Sequence, residues 1–374
     1  MTAMVRKVST ARSRADPGAA MDKAPPPPVE LGRSEDGGIR DSEVWHPHRA
    51  NYAAIDLGTN NCRLLIARPA GEGFVVVDAF SRIVRLGEGL AATGRLSEAA
   101  IDRAISALSI CASKLRRRRV TLARSVATEA CRRATNGNDF VARVYDETGI
   151  KLDIISPQEE ARLAVLGSHS LLEEGEGPAL IFDIGGGSTE LVLLETAGDV
   201  PRILDWHSAP WGVVSLSESI AGSGSDDGPT RAEAYRAMRE RVTESLSSFA
   251  PRLPGGTSLR MLGTSGTVTT LASVHLDLAR YDRSSIDGLI MSTDTLRGIA
   301  ARLADMSIAQ RAALSCIGPE RADLVVAGCA ILEGILDVWP ADRLSVADRG
   351  IREGILRSLM HGNRSLPPCV GGRA

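Results

Sequence analysis

The chain has 374 residues, of which 43% are hydrophobic, and its formal net charge at pH 7 is -2. This length favours about two domains with a sizeable core, and the near-neutral charge excludes a generally basic nucleic-acid-binding protein. The six cysteines lie far apart without a C-x-x-C pair, which is typical of free thiols and argues against a zinc site. No apolar run reaches the roughly 18 residues that cross a bilayer, so the sequence predicts a soluble, cytoplasmic protein without a membrane partner.

Residues 1–48 differ in composition from the rest of the chain. Lysine, arginine, serine and proline dominate, and residues 25–28 are an uninterrupted proline run. Such a segment buries too little apolar surface to offset the entropy that it loses on ordering. We therefore predict a disordered tail over 1–48. An organelle presequence is disfavoured because the apolar stripe of an amphipathic presequence is missing.

The segments that follow predict alternating strands and helices. Their order is β-β-β-α-β-α-β, with two hairpin strands and then elements over 74–79, 97–115, 120–126, 138–148 and 150–155. This order is typical of a ribonuclease-H-like domain. The second half repeats it more loosely, with strands near 180, 191 and 203, a helix over 231–249, a strand over 259–262, helices from about 293 to 338, a strand over 344–346 and a helix over 351–360. We predict two α/β domains, 49–170 and 171–362, and a C-terminal tail over 363–374.

Nearly the same hairpin occurs twice, as A-I-D-L-G-T-N over 54–60 and I-F-D-I-G-G-G-S-T over 181–189. In each copy an apolar strand ends in an aspartate, Asp56 or Asp183, and a glycine-rich turn follows. Glycines allow the backbone to approach a ligand closely, and consecutive turn amides suit phosphate oxygens. The aspartates can hold a hydrated divalent cation on the same phosphates. The sequence therefore predicts metal ligands at both aspartates and a phosphate site built from Gly58, Thr59, Asn60, Gly185, Gly186, Gly187 and Ser188.

A third turn, G-T-S-G-T over 263–267, runs into a predicted helix. Free amides and the positive end of the helix dipole make such a helix start suitable for anions. We predict phosphate contacts from Gly263, Ser265 and Gly266, with a tight strand-to-helix connection as the alternative. The P-loop motif does not occur.

A helix start is predicted at S-P-Q-E-E-A-R, residues 156–162. Ser156 suits the N-cap, Pro157 the first helical position, and Glu159 the reciprocal position of a capping box. Glu160 lacks such a structural explanation and lies on a face continued by small residues that leave space. One interpretation is a solvated acid beside Arg162; the other is a general base for water at the edge of a cleft.

Two groups of basic residues allow two interpretations each. Arg132 and Arg133 follow a strand end, where a guanidinium can bind phosphate oxygens in pairs, although adjacent arginines are more often surface charge. The basic run over 114–119 ends a helix, where cations suit the dipole. We interpret this run as a solvated helix terminus, with a track for a polyanion as the less favoured alternative.

Six segments together resemble one family in order and spacing: AIDLGTNNCRLLIAR, VATEACRRATNGNDF, IISPQEEARLAVLGS, LIFDIGGGSTELVL, MLGTSGTVTTLA and VADRGIREGIL. They resemble the exopolyphosphatase and guanosine pentaphosphate phosphatase (Ppx/GppA) family of the actin-like ATPase superfamily. The resemblance implies two ribonuclease-H-like domains with the active site in a cleft between them. It also implies Mg²⁺ as cofactor, K⁺ as an activator and a homodimer. By position, Glu160 resembles the catalytic base, Asp183 the metal or water partner, Glu190 a further catalytic acid and Arg132 the phosphate clamp.

The resemblance predicts release of terminal phosphate from inorganic polyphosphate as the leading function. The alternative is removal of the 5′ γ-phosphate from guanosine pentaphosphate, which would use the same centre. A kinase of the superfamily and a non-catalytic sensor of polyphosphate or of an alarmone are more remote. The acids Glu160, Asp183 and Glu190 argue against the sensor, because removing acids from the cleft would favour pure binding of a polyanion.

Overall fold

The structure, a computed structural model, describes residues 50–71, 73–175, 177–196, 201–220, 230–249 and 259–361. The predicted tails over 1–48 and 363–374 lie outside these residues. Within the described ranges the chain forms a mixed α/β fold with two β-sheets, as predicted.

Five strands form the first sheet: β1 (Asn51–Leu57), β2 (Asn61–Ala70), β3 (Gly73–Ile83), β4 (Val120–Ala127) and β5 (Leu152–Ile154). Their order across the sheet is β3-β2-β1-β4-β5. Short turns join β1, β2 and β3 into an antiparallel meander, whereas helical connections bring β4 and β5 parallel to β1.

Five helices accompany this sheet: α1 (Leu90–Thr93), α2 (Glu98–Arg117), α3 (Glu129–Arg133), α4 (Gly137–Thr148) and α5 (Pro157–Ser168). Helices α2 and α4 confirm the predicted ones, and the Ser97 hydroxyl caps α2 by accepting a hydrogen bond from the Ala100 amide. The sequence did not predict α1 and α3, because four or five residues carry too little helical periodicity. Helices α2 and α4 pack on one face of the sheet in a core that contains Leu57, Leu108 and Phe140.

Six strands form the second sheet: β6 (Pro178–Ile184), β7 (Thr189–Glu195), β8 (Arg202–Ala209), β9 (Arg260–Thr264), β10 (Ile290–Ser292) and β11 (Arg343–Ala347). Their order is β10-β11-β9-β6-β7-β8. The hairpin β6–β7 is followed by a parallel neighbour, β9, as β1–β2 is by β4. Strands β1 and β6 also share one burial pattern, with Asp56 and Asp183 at the half-buried sixth position. The predicted duplication of the hairpin is therefore confirmed.

The helices of the second half are α6 (Val213–Ile220), α7 (Arg231–Leu246), α8 (Gly266–His275), α9 (Arg283–Ile286), α10 (Thr293–Asp305), α11 (Ile308–Ala312), α12 (Val325–Val338) and α13 (Ile351–His361). Helix α12 is buried over most of its length and lies in the core with residues of α7, α8 and α10. The mostly helical stretch predicted from 293 to 338 is confirmed as three helices joined by turns.

Helix α13, predicted as part of the second domain, packs on the first sheet and on α5. Two glycines permit this close approach. A Cβ atom at Gly167 would lie 2.0 Å from the carbonyl oxygen of Gly350, and one at Gly354 would lie 2.0 Å from that of Leu163. The expectation that the small residues of α5 leave open space is therefore wrong, because they accommodate the backbone of α13.

The basic run at the end of α2 lies at the far end of the first sheet from the glycine turns. Asn51, the first residue of β1, donates from its side chain to the carbonyl of Arg118 at 2.7 Å, whereas the turn follows Leu57, about 20 Å further along the strand at ~3.3 Å per residue. Lys114 and Arg118 pair with the Asp78 carboxylate at 2.7 and 2.8 Å. The run is a helix terminus, as the favoured interpretation has it, and the alternative of a polyanion track leading from the cleft stays a prediction.

Candidate functional site

A cleft lies where the two glycine turns meet, with about 710 Å³ of empty space, counting space open to solvent. The predicted site residues that line it are Asp56, Gly58, Thr59, Asn60, Glu160, Asp183, Gly185, Gly186, Gly187, Ser188 and Ser265. The lining residues that were not predicted as site residues are Asn61, Arg63, Thr128, Glu129, Thr264, Asp348, Arg349, Gly350, Ile351 and Arg352.

The two glycine turns approach each other so closely that side chains would not fit between them. A Cβ atom at Gly186 would lie 2.9 Å from the Cβ atom of Thr59, and one at Gly187 would lie 2.7 Å from the Thr59 hydroxyl oxygen. A Cβ atom at Gly212 would in turn lie 2.4 Å from the carbonyl carbon of Gly186. The second turn is therefore enclosed on both sides, and its glycines are required by packing as well as by access for a ligand.

Each turn closes its own hairpin with its first amide and leaves its second amide available. The amides of Gly58 and Gly185 donate within their turns at 2.9 and 3.0 Å. The amides of Thr59 and Gly186 make no backbone hydrogen bond to any described residue. Free amides that face a cleft from two adjacent turns can bind phosphate oxygens.

Two buried polar atoms beside these amides also lack partners. Thr59 Oγ1 and Asn60 Oδ1 make no hydrogen bond within the described part of the chain, although both residues are at most 9% exposed. Buried polar side chains nearly always have a partner. A hydroxyl can donate to a phosphate oxygen, and an amide oxygen can accept from a metal-bound water. These atoms therefore indicate that a polar ligand belongs here.

Glu160 lies buried at the start of α5, with 6% of its surface exposed. Its carboxylate accepts a hydrogen bond from Arg132 Nη1 at 2.7 Å, and the same nitrogen donates to the Ile155 carbonyl at 2.8 Å. The interpretation of Glu160 as a solvated acid beside Arg162 is therefore wrong. A buried carboxylate at the cleft wall with one fixed cation can accept a proton from a bound water.

The neighbouring residue, Glu159, points elsewhere. Ser156 caps α5 by accepting from the Glu159 amide, as predicted. The Glu159 carboxylate does not complete the predicted capping box and instead accepts from Arg124 at 2.8 Å and from Arg162 at 2.7 Å. These two arginines stabilise the Glu159 carboxylate more than the single N-cap amide would, because hydrogen bonds between ionised groups are the stronger ones.

Arg132 lies on α3 behind Glu160 and does not line the cleft. Its Nε and Nη2 atoms donate to the Glu129 carboxylate at 3.2 and 2.8 Å. Two carboxylates and one carbonyl therefore hold the guanidinium, which fixes Glu160 in place. A direct role of Arg132 as phosphate clamp stays a prediction.

Asp56 and Asp183 lie on the adjacent ends of their hairpins. Burial raises the pKa of Asp183 to about 6; the charge of Asp56 also raises it, against the Arg63 guanidinium and a hydrogen bond from Ser265. Burial likewise raises the pKa of Asp56, against the charges of Arg63 and Arg352. Both carboxylates are thus short of compensating positive charge.

Glu190 faces Asp183 across the second hairpin. It does not line the cleft, and its carboxylate accepts from Ser188 at 2.7 Å and from Ser208 at 3.0 Å. Burial and the charge of Asp183 raise the pKa of Glu190 to about 7. Burial and the charge of Glu190 raise the pKa of Glu160 well above its usual value, against the Arg132 guanidinium. The charge of Asp183 thus raises the pKa of both glutamates, and the protonation of Glu160 depends on that of its neighbours.

The third turn contributes two residues to the cleft, Thr264 and Ser265. Ser265 lines it with a φ of 81°, whereas Gly263 and Gly266 do not line it. Gly263 lies within β9, where a Cβ atom would be 2.8 Å from the Phe182 ring. The strand-to-helix connection that we gave as the alternative describes Gly263 and Gly266 better, and their phosphate contacts stay a prediction.

The donor set of the cleft fits a hydrated Mg²⁺ ion. No group of three His, Cys, Asp or Glu residues placed to hold a metal occurs in the described ranges. Mg²⁺, however, usually binds through one or two carboxylates and substrate phosphates, and keeps several waters. Asp56 and Asp183 supply the carboxylates, and Asn60 Oδ1 can accept from a metal-bound water. No such residue set distinguishes K⁺, so its activating role stays a prediction.

Comparison with known proteins shows where the chain belongs. A family model described as the Ppx/GppA phosphatase family matches residues 65–363. The chain belongs to this family. An exopolyphosphatase 2 of Mycobacterium tuberculosis is 35% identical to it over 324 residues, which cover 82% of this chain and 98% of that protein. A guanosine-5'-triphosphate,3'-diphosphate pyrophosphatase of Aeromonas salmonicida is 30% identical over 315 residues, which cover 83% of this chain and 60% of that protein.

A solved structure of the Ppx/GppA family member of Aquifex aeolicus has 28% sequence identity and a TM-score of 0.68, covering 84% of this chain and 99% of that one. The predicted fold, two ribonuclease-H-like domains of the actin-like ATPase type with a cleft between them, is confirmed. Membership of the Ppx/GppA family also confirms that the chain is an enzyme, a phosphoanhydride hydrolase. None of its described helices is both long and apolar enough to cross a membrane.

Proposed function

We propose that this chain is an exopolyphosphatase that releases terminal orthophosphate from inorganic polyphosphate, with Mg²⁺ as cofactor and Glu160 as general base. The observation that carries the proposal is the buried Glu160–Arg132 pair, joined at 2.7 Å, at the wall of a cleft formed by two glycine turns. The similarity to an exopolyphosphatase over 98% of that protein's length supports polyphosphate as the substrate.

Hydrolysis of a phosphoanhydride requires a water in line with the bond that breaks, a group that takes its proton, and positive or hydrogen-bonding groups on the phosphates. Glu160 takes the proton from water, since a carboxylate with a raised pKa is a stronger base than an ordinary one. Arg132 holds that carboxylate in one orientation. The free amides of Thr59 and Gly186 bind phosphate oxygens, where fixed dipoles stabilise developing charge.

Asp56 and Asp183 would hold the Mg²⁺ ion beside these amides, and the bound ion would neutralise charge on the phosphates. Arg63 favours the ionised form of both carboxylates, and Arg352 that of Asp56, because these charges lower the pKa against the effect of burial. Glu190 lies one strand further from the cleft and, through its charge, raises the basicity of Glu160.

The second candidate is a guanosine pentaphosphate phosphohydrolase, which would use the same residues. The similarity to the Aeromonas salmonicida protein favours it, although the chain spans only 60% of that protein. Removal of the 5′ γ-phosphate needs the same base and the same phosphate turns. The substrates differ in what lies beyond the third phosphate: more phosphates in one case, a nucleoside in the other.

A comparison of turnover on long-chain polyphosphate and on guanosine pentaphosphate, with Mg²⁺ present, decides between the two. We expect a higher kcat/KM on polyphosphate, with a KM that falls as the chain lengthens and levels off after a few phosphates. The cleft is lined by the three arginines Arg63, Arg349 and Arg352 within the described part of the chain, so only a few phosphates can gain a contact. A higher kcat/KM on guanosine pentaphosphate, without dependence on polyphosphate length, would transfer the proposal to the second candidate.

A further inference from the structure

The loop between β11 and α13 enters the cleft beside the predicted metal ligands. Its residues Asp348, Arg349 and Gly350 all line the cleft. A Cβ atom at Gly350 would lie 3.8 Å from an Asp183 carboxylate oxygen, so the loop backbone passes directly beside the predicted metal ligand. This loop therefore reaches the phosphates of any substrate that the aspartates bind through a cation.

Arg349 is fixed in this loop by a buried carboxylate. Its Nε atom donates to Asp287 Oδ2 at 2.6 Å, and the other oxygen of Asp287 accepts from the Asp348 amide at 3.0 Å. The Asp287 side chain is only 9% exposed. One carboxylate thus holds both the guanidinium and the backbone of the loop, which leaves Arg349 with little rotamer freedom to lose on binding.

The backbone of the loop is tied to the same strand end as the catalytic acids. The Thr264 hydroxyl donates to the Arg349 carbonyl at 2.5 Å, and Thr264 is paired with Asp183 between β9 and β6. Arg283 donates to the Asp348 carbonyl at 2.6 Å from the other side. The position of Arg349 relative to Asp183 is therefore set by several hydrogen bonds.

Arg349 and Arg132 differ in the donors that they keep for a ligand. Arg132 directs its Nε, Nη1 and Nη2 atoms to Glu129, Glu160 and a carbonyl. Only Nε of Arg349 makes a hydrogen bond within the described residues, so both of its Nη groups remain free. A guanidinium with two free Nη groups can bind two oxygens of a phosphate at once.

We propose that Arg349 binds a phosphate group of the substrate and that Asp287 is its positioning residue. The inference deepens the proposed function and rests on it for the substrate, because it assigns a cationic clamp to the phosphate chain of that same site. The ligand class is a linear phosphoanhydride, and the clamp acts on binding rather than on the proton transfer at Glu160.

Calorimetric binding of inorganic tripolyphosphate to the full chain tests this clamp, with EDTA present to prevent metal-dependent hydrolysis. We expect R349M to raise Kd about tenfold or more, as loss of a charge-assisted hydrogen bond does. D287N should raise it about threefold, and the double variant should bind no more weakly than R349M alone, since Asp287 acts through Arg349. R349K, which keeps the charge without the planar fork, should lie between the wild type and R349M.

Arg297 provides the matched control, because it is also held by an aspartate, Asp337 at 2.9 Å, but does not line the cleft. R297M should bind tripolyphosphate as the wild type does. A wild-type Kd for R349M and R349K would overturn the clamp, and a D287N effect that adds fully to that of R349M would overturn the positioning role.

Steady-state kinetics on polyphosphate separates failure of this inference from failure of the proposed function. The clamp predicts that R349M raises KM with little change in kcat. Hydrolysis of polyphosphate with an unchanged KM in R349M would reject the clamp and keep the function. Tripolyphosphate binding that depends on Arg349, in a chain that hydrolyses no phosphoanhydride, would reject the function and keep the clamp.

Discussion

The two hairpins of this chain have the same backbone but opposite electrostatics. In both, an aspartate occupies the sixth position of a seven-residue strand with one burial pattern. Across the first hairpin Asp56 faces Arg63, and across the second Asp183 faces Glu190. The first aspartate therefore has a cation as its direct partner, whereas the second has another acid.

This difference indicates how a duplicated fold acquires one active site. The backbone turns are retained in both copies because each supplies amides to the same cleft. The residue that faces the aspartate can differ between the two copies, since its replacement changes the local charge without changing the strand. The second hairpin accumulates acids whose pKa values are raised by burial and by one another, and Glu160 joins that group. Arg63 lowers the pKa of Asp183 as well as that of Asp56, so the first hairpin supplies positive charge to both.

Of the two hairpin aspartates, Asp183 should be the one whose replacement lowers activity more. We expect D183N to lower kcat by about 10²-fold and to raise the Mg²⁺ concentration at half-maximal rate about tenfold, because a metal ligand is lost. D56N should cost less in kcat, since it leaves the group of Asp183, Glu190 and Glu160 intact. A metal titration of the steady-state rate measures both effects. D153N, in an exposed pair with Arg124, is the control. An unchanged Mg²⁺ midpoint in D183N would show that Asp183 does not bind the metal.

Removing the cation of the first hairpin should have an intermediate effect that depends on pH. R63Q takes away a charge that lowers the pKa of Asp56 and Asp183, so both pKa values should rise and a larger fraction should be protonated at pH 6 than in the wild type. We expect kcat/KM to fall about tenfold at pH 8 and further at pH 6. R68Q, an exposed arginine of the same strand, is the control. A loss of equal size at both pH values would show that Arg63 does not act through these carboxyls.

Replacing Glu190, the other acid of the second hairpin, should change the stability of the protein and leave its backbone structure largely unchanged. The folded pKa of Glu190 is raised to about 7 from 4.5, so its stabilising contribution is present below about pH 4.5 and is lost as pH rises through 7. Without metal, E190Q should therefore melt at a higher temperature than the wild type at pH 8, and the difference should shrink at pH 5. Each kcal/mol corresponds to roughly 1–2 °C in a chain of this size.

Glu195 offers a control for this stability measurement on the same strand. Its carboxylate is 44% exposed and pairs with Arg202 at 2.9 Å. E195Q should leave the dependence of the melting temperature on pH unchanged. A melting temperature of E190Q that follows the wild type from pH 5 to pH 8 would contradict the raised pKa.

The sequence predicted those parts of the fold that local patterns determine. The duplicated hairpins, the cap at Ser97 and the long amphipathic helices all follow from residues within one turn or one strand. The short elements α1, α3 and β10 were missed, because three to five residues hold no period. The packing of α13 on α5 was also missed. It depends on Gly167 and Gly354, which are 187 residues apart and carry no local signal of contact.

The same limit applies to the site. Sequence reasoning found the glycine turns, Glu160 and Asp183, because each belongs to a recognisable segment. It did not find Arg349 or Thr264, which reach the cleft only through the pairing of β11 with β9 and of β9 with β6. One signal was available: Asp348 and Arg349 follow a predicted strand, and the carboxyl ends of parallel strands meet at one edge of a sheet. The sequence also carried no sign that the fold directs the donors of Arg132 to Glu129 and Glu160. The role of Arg132 as phosphate clamp stays a prediction.

Phosphate release from polyphosphate by E160Q and E159Q, measured side by side with saturating Mg²⁺, tests the central claim most directly. The two acids are adjacent in sequence, but only Glu160 faces the cleft, whereas Glu159 pairs with Arg124 and Arg162. Loss of a general base should lower kcat by about 10²- to 10⁴-fold in E160Q, with little change in KM. E159Q should keep most of the activity. An E160Q enzyme that retains more than about a tenth of the wild-type kcat, or an E159Q enzyme that loses as much as E160Q, would contradict the assignment of Glu160 as the base.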